Sequence, residues 1–234
     1  MADYGIVIRN TSSQLQIDGT FKNLAVRERG SVVSGGAQMG TGWYYATLTT
    51  TAGSTPIVAF RSSGPCYLRR TQRSGGSVTY TFHCQGAGVT VWYWIFDDPL
   101  LSPVSGNWGL RINNASGSPV FDSRAKYMRV LDMLSSPGSL NDPIDSGIQR
   151  SYPGASPALM QGQLRCIIQN TQIGGAPPIV DYVQTMSAVA ATFPGNGVSW
   201  QLQGVSVINF NRQPLPESIN HWGYDYMVID VNGM

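Results

Sequence analysis

The chain has 234 residues, of which 12% are charged, with 27 Gly, 14 Pro and a formal net charge of +2. That length buries a substantial core, as one large or two ordinary domains, without disulfides or metal. The small, scattered charge excludes an electrostatic nucleic-acid binder. Few charges and many turn formers point to an all-β protein whose surface is covered by Ser, Thr, Asn, Gln and Gly, or by partner subunits.

The start, MADYGIVIR, lacks the basic region and long apolar core of a secretory signal. This predicts a soluble chain made in a cytoplasm, exported by ordinary secretion only behind a leader outside this numbering. Residues 4–19, YGIVIRNTSSQLQIDG, read as a small hairpin. Beyond it, period-two alternation dominates, in SVTYTFH, VTVWYWIF, SWQLQGVSVINF and YDYMVIDVN. Turn signals separate these runs: SGG at 34–36, RSGG before Ser77, NASG at 114–117 and GNG at 195–197. Arg69, Arg70 and Arg73 cluster beside a turn and read as a solvated tip. A three-residue turn at 74–76 would set Cys66 opposite Cys84, close enough to bridge, although a cytoplasmic origin favours free buried thiols. With Cys166 as a small core residue, the odd count of three excludes a full disulfide framework. VWYWIF is the longest aromatic-rich apolar run and is far too short to span a membrane.

LLSPVSGN at 100–107 carries no periodic pattern and predicts a linker between an N-terminal β module, 1–99, and a C-terminal one, 108–234. The second module opens at once with WGLRINNASGSPVFDS at 108–123, which matches 4–19 without a gap. Gly5/Gly109, Ile8/Ile112, Asn10/Asn114, Ser12/Ser116, Ile17/Phe121 and Asp18/Asp122 fall in register. The expected fold is therefore two β-sandwich-like modules, each opening with a related hairpin. In that motif Gly5 and Gly109 permit close backbone approach, Asn10 and Asn114 cap the reversal, and Asp18 and Asp122 accept N–H groups at the strand end. As calcium ligands these residues lack the dense acidic spacing of a calcium loop. The two N-x-S/T matches, at Asn10 and Asn114, are turn chemistry. Residues 135–157, with four prolines and few apolar anchors, predict an irregular arm that wraps a neighbour. YVQTMSAVAATF, 182–193, reads as a strand.

No reactive centre is legible. His83 and His221 have no metal partner at useful spacing, and His83 and Cys84, adjacent on a strand, face opposite ways. Ser156 in GASPA imitates a nucleophile elbow, but Pro157 removes the N–H that an oxyanion hole needs. Asp97–Asp98, Asp142/Asp145 and Asp225/Asp230 read as turn or strand-end acids, not as a glycosidase pair. The expectation is no enzyme, no cofactor and no metal. Trp43, Trp92, Trp94 and Trp222 remain as candidate contacts with a partner or a glycan, because contiguous aromatics on a strand must show some rings away from the core.

The hairpin pattern and its continuation FDSRAKYMRVLD, 121–132, preceded by YWIFD, 93–97, resemble a family of tail-associated structural proteins of tailed bacteriophages and prophages. The closest correspondence covers 91–132. Gly109, Asn114, Ala115, Gly117, Phe121, Asp122, Ser123, Tyr127, Arg129 and Val130 match, and Met128 stands where the family has Leu. The first copy departs further, with Ser13 in place of the turn glycine and Gly19 in place of the serine. The resemblance implies a virion protein of the tail tip, baseplate or fibre base, without enzymatic activity. It would be made in the bacterial host cytoplasm, with other tail proteins as partners. A symmetric homo-oligomer is the matching expectation, gripping neighbours through sheet edges and aromatic anchors. The alternative is a module that binds a carbohydrate or receptor of the host surface.

Overall fold

The computed structural model describes residues 8–9, 15–17, 23–39, 42–139, 142–214 and 216–234. Strands make up most of them, so the protein is all-β. In chain order the first are β1 (Ile8–Arg9), β2 (Leu15–Ile17), β3 (Ala25–Val33), β4 (Gly35–Met39) and β5 (Trp43–Thr51). Then come β6 (Ile57–Ser62), β7 (Cys66–Ser74), β8 (Ser77–Gln85) and β9 (Thr90–Asp97). A 3-10 turn at Pro99–Leu101 leads to β10 (Arg111–Asn113), β11 (Pro119–Asp122) and β12 (Val130–Ser136). A short helix, α1 (Pro143–Ser146), precedes β13 (Ile148–Ser151), β14 (Pro157–Gln163), β15 (Cys166–Ala176) and β16 (Ile179–Thr192). The last are β17 (Gly197–Pro214), β18 (Ile219–His221) and β19 (Tyr224–Asp230).

Two sheets form a sandwich. One has six strands in the order β12-β19-β14-β6-β9-β3; the other has nine, β13-β17-β16-β7-β8-β5-β4 on its main path, with β15 and β18 beside β16. Alternation drives the packing: Val78, Tyr80, Phe82 and Cys84 of β8 and Ala46 and Leu48 of β5 enter the core, while Thr47, Thr49, Thr79 and Thr81 take the other face. Each large apolar side chain so buried contributes about 1.5–3 kcal/mol. The division expected at 100–107 does not separate the sheets. Each sheet draws strands from both sides of it, and the main core holds Phe60, Phe82 and Tyr93 together with Leu159, Trp200 and Tyr226.

The hairpin is the first element of a longer structural repeat. In β1–β2, Ile8 pairs with Ile17 and, past a bulge, Arg9 with Leu15; in β10–β11, Ile112 pairs with Phe121 and, past a bulge, Asn113 with Pro119. The next strands repeat as well. β3 and β9 pair through Val26–Phe96 and, after a bulge, Glu28–Ile95; β12 and β19 pair through Val130–Ile229 and, after a bulge, Asp132–Val228. β6 and β14 then occupy the same place beside β9 and β19, and Cys66 and Cys166 open the hairpins β7–β8 and β15–β16. The half-sheets are β3-β9-β6 and β12-β19-β14, and behind them β7-β8-β5 and β15-β16-β17-β13. The 18-residue β17, with β18, is the addition in the second half.

Equivalent residues meet at the seam. Met128 N donates to Leu24 O and Val26 N to Lys126 O, so Leu24 crosses its own counterpart, Met128. Leu159 pairs with Phe60, a register that sets Ala59 against its counterpart Met160. A contact in which each residue meets its equivalent is isologous, and the two halves are related by an approximate two-fold axis normal to the six-stranded sheet. Gln161 tightens the seam by taking the place of a strand: its Oε1 accepts Leu68 N at 3.2 Å and its Nε2 donates to Leu68 O at 2.6 Å.

Two local expectations need correction. Residues 135–157 do not leave the body as an arm, among those described. Asp142 caps α1 and accepts from Ser136 Oγ, Ile144 is fully buried in the main core, and β13 pairs with β17. Three apolar anchors, Ile144, Ile148 and Tyr152, suffice to hold a segment that composition alone reads as loose. The turn in β7–β8 has two residues, Gly75 and Gly76, and a bulge between Leu68 and Arg70 restores the register that faces Cys66 with Cys84. Those two thiols are free and buried, with sulfurs 3.4 Å apart. Burial and the neighbouring thiol push the Cys66 pKa well up. The long segment at 182–193 is strand, part of β16.

Candidate functional site

The second hairpin spends its motif residues on its own geometry. Asn114 Oδ1 accepts from Ser116 N (3.0 Å), Ser116 Oγ (2.7 Å) and Ser118 N (2.9 Å), which fixes the reversal. Asp122 takes Arg124 in a two-pronged ion pair, Nε at 2.8 Å and Nη2 at 2.6 Å, and also accepts Arg124 N. These bonds hold its carboxyl down to about 2. Phe121 stacks on Tyr127 at 5.1 Å, and Tyr127 Oη accepts Asp122 N. Gly109 packs so close to Arg124 that a Cβ would come within 2.7 Å of its Cγ. The frame is stiff, yet it leaves Trp108 93% exposed, with Leu110 half exposed beside it. Gly5, Asn10 and Asp18 of the first copy lie outside the described residues.

A second feature lies on the outer face of the six-stranded sheet. Val91, Tyr93 and Ile95 of β9 point into the core, so Trp92 and Trp94 point out. Cross-strand pairing puts Trp92 in one row with Ser31 of β3 and Arg61 of β6, and Trp94 in the next row with Arg29 and Ala59. Trp92 is 41% exposed and forms the wall between two open grooves. One, of about 500 Å³, is lined by Arg61, Ser62, Ser63, Trp92, Thr192 and Phe193 among others; the other, of about 370 Å³, includes Arg29, Ser31, Trp92, Trp94 and Met234. Arg61 lies over the Phe193 ring at 5.9 Å and donates through Nη2 to Gly195 O at 2.8 Å. The indole N–H of Trp94 is buried without a partner among the described residues.

Of the other two tryptophans, Trp43 is not at the surface. Trp43 is buried in a second core with Tyr67, Cys166, Met186 and Val205, and its Nε1 donates to Gly204 O at 2.9 Å. The β16–β17 strands, which sequence pattern did not set against β5, cover its ring. Trp222 is half-buried, with the Arg165 guanidinium 5.0 Å from its ring. Arg61 and Phe193 were missed by sequence reasoning, because their approach depends on pairing between the halves. The only sequence signal was the charged Arg61 directly after the apolar run IVAF.

The acids noted in sequence serve structure where they are paired. Asp97 binds Arg27, Asp142 caps α1, Asp145 binds Arg165, and Asp230 accepts Ser156 N. Ser156 N thus anchors a strand start. Among the described residues no group of three or more His, Cys, Asp and Glu is placed to hold a metal ion. None of their helices is long and apolar enough to cross a membrane.

His83 is buried between Tyr45 and Tyr67, with Nδ1 2.7 Å from Tyr67 Oη and Nε2 unpartnered among the described residues. Burial, and then the Arg69 charge, push its pKa down to about 4. Between that value and the ordinary 6.5 the unfolded chain takes a proton that the fold refuses, so stability falls as pH drops through this window. The expected loss is up to about 3 kcal/mol. Urea midpoints at pH 7.5 and 4.5 test it: His83→Gln should remove most of the difference, and an undiminished difference assigns it to other groups.

No family model matches the chain, and neither does any curated protein or solved structure.

Proposed function

We propose that this chain is a non-enzymatic structural component of a bacteriophage tail, at the tip, baseplate or fibre base, acting through subunit contacts. The observation that carries the reading is the second hairpin. The residues by which it resembles the tail family build a rigid mount, and the mount presents an almost fully exposed Trp108. A large rigid aromatic held in that way is the side chain that anchors protein interfaces. Leu100, Leu101 and Leu110 are also exposed in this part of the chain. The partners are other tail proteins and further copies of the chain, in closed symmetry by default.

The test is attachment. The protein should co-purify with phage particles. Trp108→Ala should fold with an unchanged melting temperature but bind its neighbour at least about 30-fold more weakly, the scale of an interface hot spot. Incorporation of the variant at the wild-type level would overturn the reading. The exposed indole of Trp92 favours a second role beside this one, contact with a glycan of the host surface.

A further inference from the structure

We propose that the two grooves flanking Trp92 form one binding site for an acidic oligosaccharide. The assignment deepens the glycan reading and does not depend on where the chain sits in a particle.

The approximate two-fold axis supplies the comparison. The counterpart of Trp92 in the second half is Asp225; where Trp92 pairs with Arg61, Asp225 pairs with Gln163, past a bulge at Gly162. The second half therefore builds the same three-stranded unit with a carboxylate and a neutral amide at these places. An exposed indole and an adjacent guanidinium are not what the fold needs there. They break the symmetry of the scaffold at the one place where the turn after β16 brings Phe193 across the seam to meet the first half.

The chemistry of the lining selects the ligand. A flat indole face accepts the C–H face of a pyranose ring, as in aromatic stacking generally. Arg61 is aimed by its bond to Gly195 O and by the Phe193 ring, and this is its only hydrogen bond among the described residues. Its remaining N–H donors are free to meet a carboxylate, which a guanidinium can bind with two parallel bonds. Ser31, Ser63 and Thr192 supply hydroxyls for sugar oxygens. No Asp, Glu or Lys lines either groove among the described residues, so the charged side chains that line them, Arg61 and Arg29, are both cationic. Grooves on both sides of one ring suit a chain of at least two sugars. Single-stranded nucleic acid fits less well. It needs several stacking rings and a basic track, whereas here one ring is exposed and Arg29 already donates to Met234 O.

The experiment uses the purified full chain on an array of glycans bearing uronate, sialate or phosphate, and of neutral glycans, with a ten-residue oligo(dT) in parallel. Retention of acidic glycans is expected, and the best of them, titrated by tryptophan fluorescence, should lose at least tenfold in affinity with Trp92→Ala. Arg61→Gln, the residue type that faces Asp225 in the second half, should lose tenfold for the acidic glycan while the melting temperature stays unchanged. No acidic glycan retained, retention of neutral glycans alone, or affinity indifferent to either substitution would overturn the site. Oligo(dT) bound through Trp92 without any glycan would overturn it in favour of nucleic acid. Because Trp108 is left intact, failure here leaves particle attachment as a separate result.

Discussion

Asp97→Ala is expected to lower the unfolding free energy by about 3–5 kcal/mol, the scale of a buried ion pair that loses one partner. Asp97 is fully buried and accepts four bonds: Arg27 Nη1 at 2.7 Å, Ser54 Oγ at 2.9 Å, Thr55 N at 3.0 Å and Asp98 N at 2.8 Å. Burial works to raise its pKa, but these donors and the Arg27 charge outweigh it and hold the carboxyl below its ordinary value. Since the folded pKa is depressed, the contribution is present at neutral pH and is lost as pH falls below the ordinary carboxylate range. Removing the carboxylate strands a nearly buried Arg27 and two backbone N–H groups. Gly53 makes room for this carboxylate, since a Cβ there would fall 1.7 Å from Asp97 Oδ2.

The second half provides an internal control. Its counterpart, Asp230, accepts Ser156 N at 3.0 Å and Asn232 N at 2.9 Å, but its cation, Arg129, is half exposed and 3.2 Å away. Asp230→Ala should cost only about 1–2 kcal/mol, the price of unmade hydrogen bonds without a stranded buried charge. Urea unfolding of both variants at pH 7 decides the point. Equal losses would show that the backbone bonds, and not the buried pair, hold these corners together.

The strands were legible because the alternation that drives their burial is written in the residues themselves, as in SVTYTFHC and YDYMVIDVN. The hairpin repeat was legible because its two copies align without a gap. The rest of the repeat is present but shifts. Pro56 to Pro157 is 101 positions, Cys66 to Cys166 is 100, and Asp97 to Asp230 is 133. The last jump arises from β17 and β18, inserted before the final strand. Without strand pairing such drifting offsets read as chance. The pairing of the two halves was not legible either, since the residues that meet on the axis, Leu24 with Met128 and Ala59 with Met160, carry no mark of one another. The tryptophans show the same boundary. Alternation says that Trp43 and Trp92 each leave one face of a strand, but not that β16 and β17 cover the first and nothing described covers the second. Part of the candidate site was therefore visible as a residue, Trp92, while its groove required the fold.

Arg165→Met is expected to cost about 3–5 kcal/mol, again through a broken buried pair, and to loosen one region more than the rest. Arg165 is fully buried. Nε and Nη2 reach Asp145 at 2.6 and 2.5 Å, Nη1 donates to Trp222 O at 2.6 Å and Nη2 to Ser139 O at 2.9 Å. One side chain thereby pins the loop before α1, the helix itself and the approach to β19. The loop runs so close to Trp222 that a Cβ on Gly138 would lie 1.8 Å from its carbonyl oxygen. Methionine fills similar volume but offers no donor, leaving the Asp145 carboxylate and two carbonyls without their partner. Because the stranded charge causes much of the loss, Arg165→Met combined with Asp145→Leu should cost less than the two single changes added together. Amide exchange should quicken over 142–147 and at Gly223 in Arg165→Met while β8 and β9 stay protected. A uniform loss across both sheets would instead mean that the guanidinium supports the core as a whole, and that the segment sequence read as an arm is held by Ile144 and β13 alone.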